Sequence, residues 1–134
     1  MNGTTVKVYS LAKDGGKQIT AHFKVKEFRC HDGSDTIFAS QELVEVLEKI
    51  RTHFGKPVVI NSGYRTDAYN AKTKDAAKYS QHLYGLAADI RISGVTPKQI
   101  AAYAETLLPG TGGIGIYGTF CHVDVRATKS RWNG

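Results

Sequence analysis

Two histidines and an aspartate, His82, Asp89 and His122, are the residues of this chain best suited to hold a metal, and Arg65 is best suited to work beside them. Two neutral imidazoles and one carboxylate can fill three corners of a tetrahedron around zinc and leave the fourth for water. There the ion acts as a Lewis acid and brings the pKa of its water toward about 7. A guanidinium is always charged and offers a planar fork of donors, so Arg65 suits an oxygen on which charge grows when an amide is attacked. No pair among the three candidate ligands makes a site. A loop histidine that caps a backbone group, or an aspartate in a salt bridge, would look the same in isolation. The question is whether separate elements bring the three together.

The surrounding pattern predicts such elements. From Ser40, the apolar residues Leu43, Val46, Leu47, Ile50 and Phe54 recur at helical spacing, with Ser40 as N-cap and Gly55 as stop. Pro57 to Ile60 reads as a short buried strand, and Asn61-Ser62-Gly63 turns the chain so that Tyr64 and Arg65 emerge at its end. Thr66 then caps a short helix through Asn70, and a loop rich in Lys and Ala leads to Tyr79. Gly85 separates His82 from a segment in which Leu86, Ala88, Ile90 and Ile92 alternate with Ala87, Asp89 and Arg91. That alternation predicts a loop histidine followed by a strand whose carboxylate leaves the apolar layer.

Thr96-Pro97-Lys98-Gln99 combines a capping box with proline at the first helical position, and Ile100, Tyr103, Ala104 and Leu107 carry the helix to Pro109. Gly112 to Tyr117 reads as a glycine-rich strand open to close approach. In a final strand, Phe120, His122, Asp124 and Arg126 project to one side while Cys121, Val123 and Val125 pack on the other. If this strand lies antiparallel to that of Asp89, His122 and Asp89 face each other.

At 134 residues the chain suits one domain spanning 1–134, of which residues 1–35 read as a loose arm with short extended pieces (1–22 extended), pinned by Phe23, Val25 and Phe28. Hydrophobic residues at 41% and charged residues at 22% exclude a disordered chain. Two cysteines, Cys30 and Cys121, exclude a disulfide framework and a four-cysteine zinc site, and read as reduced thiols with one bridge left open. The net charge of +6 favours anionic partners, but the basic residues are scattered and no nucleic-acid motif accompanies them, so no nucleic-acid partner is expected. No stretch approaches the ~20 apolar residues of a membrane span, and the amino terminus lacks the apolar run of a signal peptide. The expectation is a soluble monomer made in the cytoplasm, released to a cell wall only by something other than its own leader.

Ser80-x-His82-x-x-Gly85-x-Ala87-x-Asp89 resembles the zinc-site signature of the D-alanyl-D-alanine carboxypeptidase family, peptidase M15, which includes phage L-alanyl-D-glutamate endolysins and is related in fold to the hedgehog signalling domain. Ser62-Gly63-Tyr64-Arg65 with Asn70, Gly113-Ile114-Gly115-x-Tyr117, His122-Val123-Asp124-Val125-Arg126 and Trp132 are similar to its small single-domain branch. The resemblance implies an α+β fold: a small, mainly antiparallel sheet carries the metal on one face and packs helices on the other. It implies zinc bound by His82, Asp89 and His122, with Arg65 polarising the scissile carbonyl. Ser80 would contact a peptidoglycan peptide, unless its hydroxyl only shapes the His82 loop. Tyr117 and Trp132 could stack on the substrate, or serve the core.

One departure bears on mechanism. Many relatives place a general base three residues before the last zinc histidine, where this chain has Thr119. The nearest acid, Asp124, is therefore expected to be the base, with a supporting contact to His122 or Arg126 as the alternative. The implied activity is zinc-dependent hydrolysis of stem peptides, D-Ala-D-Ala carboxypeptidase first and L-Ala-D-Glu-type endopeptidase as the alternative. A zinc-stabilised wall-binding module without catalysis is the rival reading that Thr119 supports. His22, His31 and His53 read as surface or packing histidines.

Overall fold

The computed structural model of the chain describes residues 5–73 and 80–134, so the expected Lys- and Ala-rich loop before Ser80 lies outside the described residues from Lys74 to Tyr79. Its centre is a five-stranded sheet, built from β5 (Val59–Ser62), β6 (Ala87–Arg91), β7 (Gly113–Ile116), β8 (Cys121–Asp124) and β9 (Ser130–Asn133). The strand order is β5-β6-β8-β7-β9. Every pairing is antiparallel except β7 with β9. The architecture is the expected α+β, with one added strand: sequence reading ended the sheet at β8, whereas the chain turns once more and lays β9 alongside β7.

Alternation in β6 and β8 divides the sheet into two faces. Ala88, Ile90, Cys121 and Val123 enter the main apolar core, joined by Ile114 from β7. Helix α2 (Gln41–Phe54) and helix α4 (Pro97–Leu107) close that core through Leu43, Leu47, Ile50, Ile100 and Ala104, each 1% exposed or less. Both helices carry the predicted caps: the Ser40 hydroxyl accepts from the Leu43 N–H at 3.1 Å, and Thr96 forms a reciprocal box with Gln99. Gly55 ends α2 at φ +65°, a conformation that penalises a Cβ.

Ahead of the sheet, β1 (Val6–Ser10) pairs antiparallel with β4 (Thr36–Ser40), and the short β2 (Gln18–Thr20) with β3 (Phe23–Lys24). The four-residue α1 (Leu11–Asp14) links β1 to β2. Phe23, Val25 and Phe28 are all buried in the core, as expected of residues that pin this region. The helix after Arg65, α3 (Asp67–Lys72), starts where predicted, because the Thr66 hydroxyl accepts from the Tyr69 N–H. No helix among the described residues is long and apolar enough to cross a membrane.

Candidate active site

Opposite the helices, three strands carry a row of small and polar residues. Asp89 of β6 pairs directly with His122 of β8, and His122 pairs in turn with Gly115 of β7. One step along, Ala87, Asp124 and Gly113 form the parallel row. The glycines are required there, since a Cβ on Gly113 would fall on the Asp124 carboxylate and one on Gly115 would come within 2.5 Å of the Trp132 indole.

His82 arrives from a single 3-10 turn at residues 81–84. The Ser80 hydroxyl opens the turn by accepting the His82 backbone N–H at 3.2 Å, and Gly85 closes it at φ +72°. A Cβ on Gly85 would stand 2.6 Å from the Phe38 carbonyl oxygen. The fixed Ser and Gly of the motif thus set the start and end of the turn that presents the imidazole. Arg65 leaves the end of β5, and its backbone N–H donates to the His82 carbonyl at 3.1 Å, which ties the two loops together.

His82, Asp89 and His122 are all buried, and one ligand atom from each lies within 4.8 Å of the others. The partners of the imidazoles decide what those atoms offer. His82 Nδ1 lies 2.7 Å from the Gly63 carbonyl, which can only accept, so Nδ1 carries the proton and Nε2 turns its lone pair toward Asp89 Oδ2 at 3.3 Å. His122 Nε2 sits 2.7 Å from Asp124 Oδ2, leaving Nδ1 facing Asp89 Oδ1 at 2.9 Å. A second proton on each ring or a cation between them must relieve these contacts. Burial pushes the His122 pKa down, but Asp124 and Asp89 outweigh it and raise the ring's affinity for positive charge. Burial likewise opposes the charge on Asp89, yet the two imidazoles hold its carboxyl well below the usual range. Two imidazole nitrogens, which offer lone pairs once a cation takes the place of the second protons, and one ionised carboxylate converge out of water with both distal nitrogens already engaged, a donor set that fits zinc.

A profile of the family described as Peptidase M15 matches residues 21–124, a span that contains all of these groups. The chain belongs to the peptidase M15 family. Among curated proteins, the probable peptidoglycan L,D-endopeptidase MepK of Haemophilus influenzae is 34% identical over 101 residues, covering 69% of this chain and 53% of the relative. The chain therefore spans about half the length of the curated relative it matches.

In this M15 chain, Arg65 is nearly buried and already braced. Its Nε donates to Ser62 Oγ at 3.1 Å, Nη1 to Asn70 Oδ1 at 3.3 Å and Nη2 to Asp89 Oδ2 at 3.3 Å. Among the described residues, two of the five N–H groups of the guanidinium have no acceptor. Beside it opens a cavity of about 460 Å³, lined in part by Phe38, Tyr64, Asp67 and Tyr84.

Asp124, expected as the base, has no exposed surface. Its oxygens accept from the Gly113 N–H at 2.8 Å, from Arg126 Nε at 2.9 Å and Nη2 at 2.7 Å, and face His122 Nε2. Burial would raise its pKa, but His122 and Arg126 hold the carboxyl well below the usual range. Such a carboxylate is a weak proton acceptor. Thr119 sits exposed in the bend before β8.

Ser80 spends one lone pair on the His82 turn, and its O–H proton meets no acceptor among the described residues. The Tyr117 hydroxyl accepts from Trp132 Nε1 at 2.8 Å, and its ring stacks on Phe120 at 4.4 Å. Trp132 lies 5.0 Å from the His122 ring and 5.3 Å below the Arg126 guanidinium, so it packs against the site from β9. The other histidines fall elsewhere: His22 pairs with Glu48, His31 Nε2 meets the Asn61 carbonyl, and His53 stacks on Tyr103 at 3.7 Å. Cys30 and Cys121 are free and buried. Sequence reading missed the Gly63 carbonyl, because a backbone acceptor has no residue type to betray it, and it noted Ser62 and Asn70 only as parts of a motif.

Proposed function

We propose that this chain is a zinc-dependent peptidase that hydrolyses amide bonds of peptidoglycan stem peptides. The observation that carries the reading is the convergence of His82, Asp89 and His122 with each distal imidazole nitrogen already engaged. Zinc held by these three would supply a Lewis acid for the scissile carbonyl and for the attacking water. Arg65 directs its two remaining N–H groups toward the oxygen that gains charge, and Ser62, Asn70 and Asp89 keep the fork in place. Ser80 offers its hydroxyl proton to a peptide carbonyl, and Tyr117 contributes through Trp132, which walls the site beside His122. Asp124 holds His122 in the tautomer that leaves Nδ1 free, which makes it a positioning residue and replaces the base expected from sequence.

Two scissile bonds remain in play. The motif resemblance favours D-Ala-D-Ala carboxypeptidase cleavage, and the relative named as an L,D-endopeptidase favours internal cleavage. Turnover of defined muropeptides, with products identified by mass, tests the reading, alongside metal analysis of His82→Ala, Asp89→Ala and His122→Ala. The expected result is stoichiometric zinc in the parent, sharply weaker retention in each variant, and one amide cleaved. Undiminished zinc in all three variants removes the proposed site. Zinc bound without turnover of any muropeptide favours the wall-binding module.

A further inference from the structure

We propose that the cavity beside Arg65 is a subsite for the side-chain ammonium of a diamino acid in the stem peptide, and that Asp67 is the residue that selects it. The inference rests on the stem-peptide reading and adds which residue of the substrate lies next to the reacting bond.

Three observations point to an amine on an aliphatic stem. The first is charge. Asp67, the first residue of α3, lines the cavity with an exposed side chain and makes no hydrogen bond or ion pair among the described residues. The other charged group that lines it, Arg65, is ion-paired with Asp89 and braced by Ser62 and Asn70. Among the described residues that line the cavity, the charge without a partner is therefore negative, against the basic balance of +6 for the chain as a whole.

The second is the wall. Phe38 and Tyr64 meet edge to face at 5.0 Å, Leu83 is half-buried beside them, and Tyr84 stands 46% exposed. Apolar and aromatic surface suits the methylenes of a lysine-like side chain, and aromatic faces also attract an ammonium. An acidic side chain would instead bring like charge against Asp67.

The third is position. Tyr84 and Leu83 belong to the turn that carries His82, and Tyr64 precedes Arg65. A side chain seated in the cavity thus belongs to a residue at or next to the scissile bond. The volume of about 460 Å³ exceeds what one aliphatic chain fills, leaving room for adjoining peptide.

The experiment compares a stem pentapeptide bearing a free side-chain amine with the same peptide acetylated on that amine. Wild type and Asp67→Asn are measured by kcat/KM in the zinc-loaded protein and by calorimetric binding in the metal-free protein, where no cleavage occurs. Wild type is expected to prefer the free amine roughly tenfold in both measurements, the worth of one charge-assisted hydrogen bond. Asp67→Asn should lose most of that preference, the ratio between free and acetylated peptide falling toward one in both measurements. Equal preference in wild type and variant overturns the subsite, as does a wild type that treats both peptides alike. If neither peptide is cleaved but binding still discriminates through Asp67, the subsite stands and the peptidase reading falls.

Discussion

Replacing Asp124 with Asn separates a positioning carboxylate from a base, because the two roles fail in different measurements. Asp124 accepts on one side from the Gly113 N–H and Arg126, and on the other from His122 Nε2. An amide keeps one acceptor oxygen and gains an NH₂ donor. With the oxygen toward Gly113 and Arg126, the NH₂ faces His122 Nε2, which must then give up its proton. The proton moves to Nδ1, the atom that should hold the metal. With the amide reversed, NH₂ meets the guanidinium donor to donor. Loss of such a supporting contact lowers metal affinity by about 10–100-fold. The change also leaves Arg126 without its anion. Removing one partner of a buried pair costs about 3–5 kcal/mol, and since the Arg126 side chain is 28% exposed and can turn to water, a cost nearer 2 kcal/mol is expected. Zinc competition against a chelator reads the first effect, and thermal unfolding of the metal-free protein reads the second. An Asn variant with wild-type zinc affinity and wild-type melting, but turnover lower by roughly 10²–10⁴, refutes the positioning role and restores Asp124 as the base.

Arg65→Lys should keep the metal and lower turnover on muropeptides by roughly 10²-fold, because an ammonium cannot brace against Ser62, Asn70 and Asp89 while presenting a planar pair of donors. Unchanged kcat/KM would count against its place in the reaction. Gly85→Ala forces a Cβ into the left-handed region at φ +72° and against the Phe38 backbone, so it should cost more than about 1 kcal/mol in denaturant unfolding and weaken metal retention through the His82 turn. Asp35 accepts from the Ala12 N–H at 2.8 Å and from the Ser10 hydroxyl at 2.7 Å, which hold its carboxyl below the ordinary value for an aspartate. Its contribution to stability is present above that value and is lost as pH falls through the lower folded-state pKa. The melting temperature of Asp35→Asn should therefore change less than that of wild type between neutral and acid pH; parallel curves would exclude the effect. Burial pushes the Cys121 thiol up to about 12, so alkylation at neutral pH should reach it only after unfolding.

What was legible in the sequence is what local rules write into side chains. Ser40 and Thr96 announced their helices because an N-cap hydroxyl has a fixed task, and alternation in 86–92 and 120–126 sorted core from site because strand period is two. The facing of Asp89 and His122 followed from that alternation once the two strands were taken as antiparallel neighbours. Strand β5 was placed two residues early, at Pro57 rather than Val59, since proline has no N–H for the ladder it was assigned to. Strand β9 left no periodic trace: Ser130, Arg131, Trp132 and Asn133 join the sheet through Trp132 over Gly115 and Arg131 against Glu105, contacts that only the folded chain creates. The surroundings of Asp124 were beyond sequence for a related reason: its type allows a base or a supporting contact, and only the fold buries it among Gly113, Arg126 and His122, the placement on which the proposed positioning role rests.

The pairing of Asp89 with His122, and of Ala87 with Asp124, makes the polar row a guard on how the strands assemble. Sliding β8 by one residue would swing His122 and Asp124 into the helix-covered core and expose Cys121 and Val123 in their place. Two charged or polar groups would then lie unsatisfied among Ile90, Ile100 and Ala104, a penalty of several kcal/mol that no repacking relieves. The groups gathered for chemistry therefore also exclude misaligned β6–β8 pairings, so variants that neutralise the row are expected to lose uniqueness of fold as well as function.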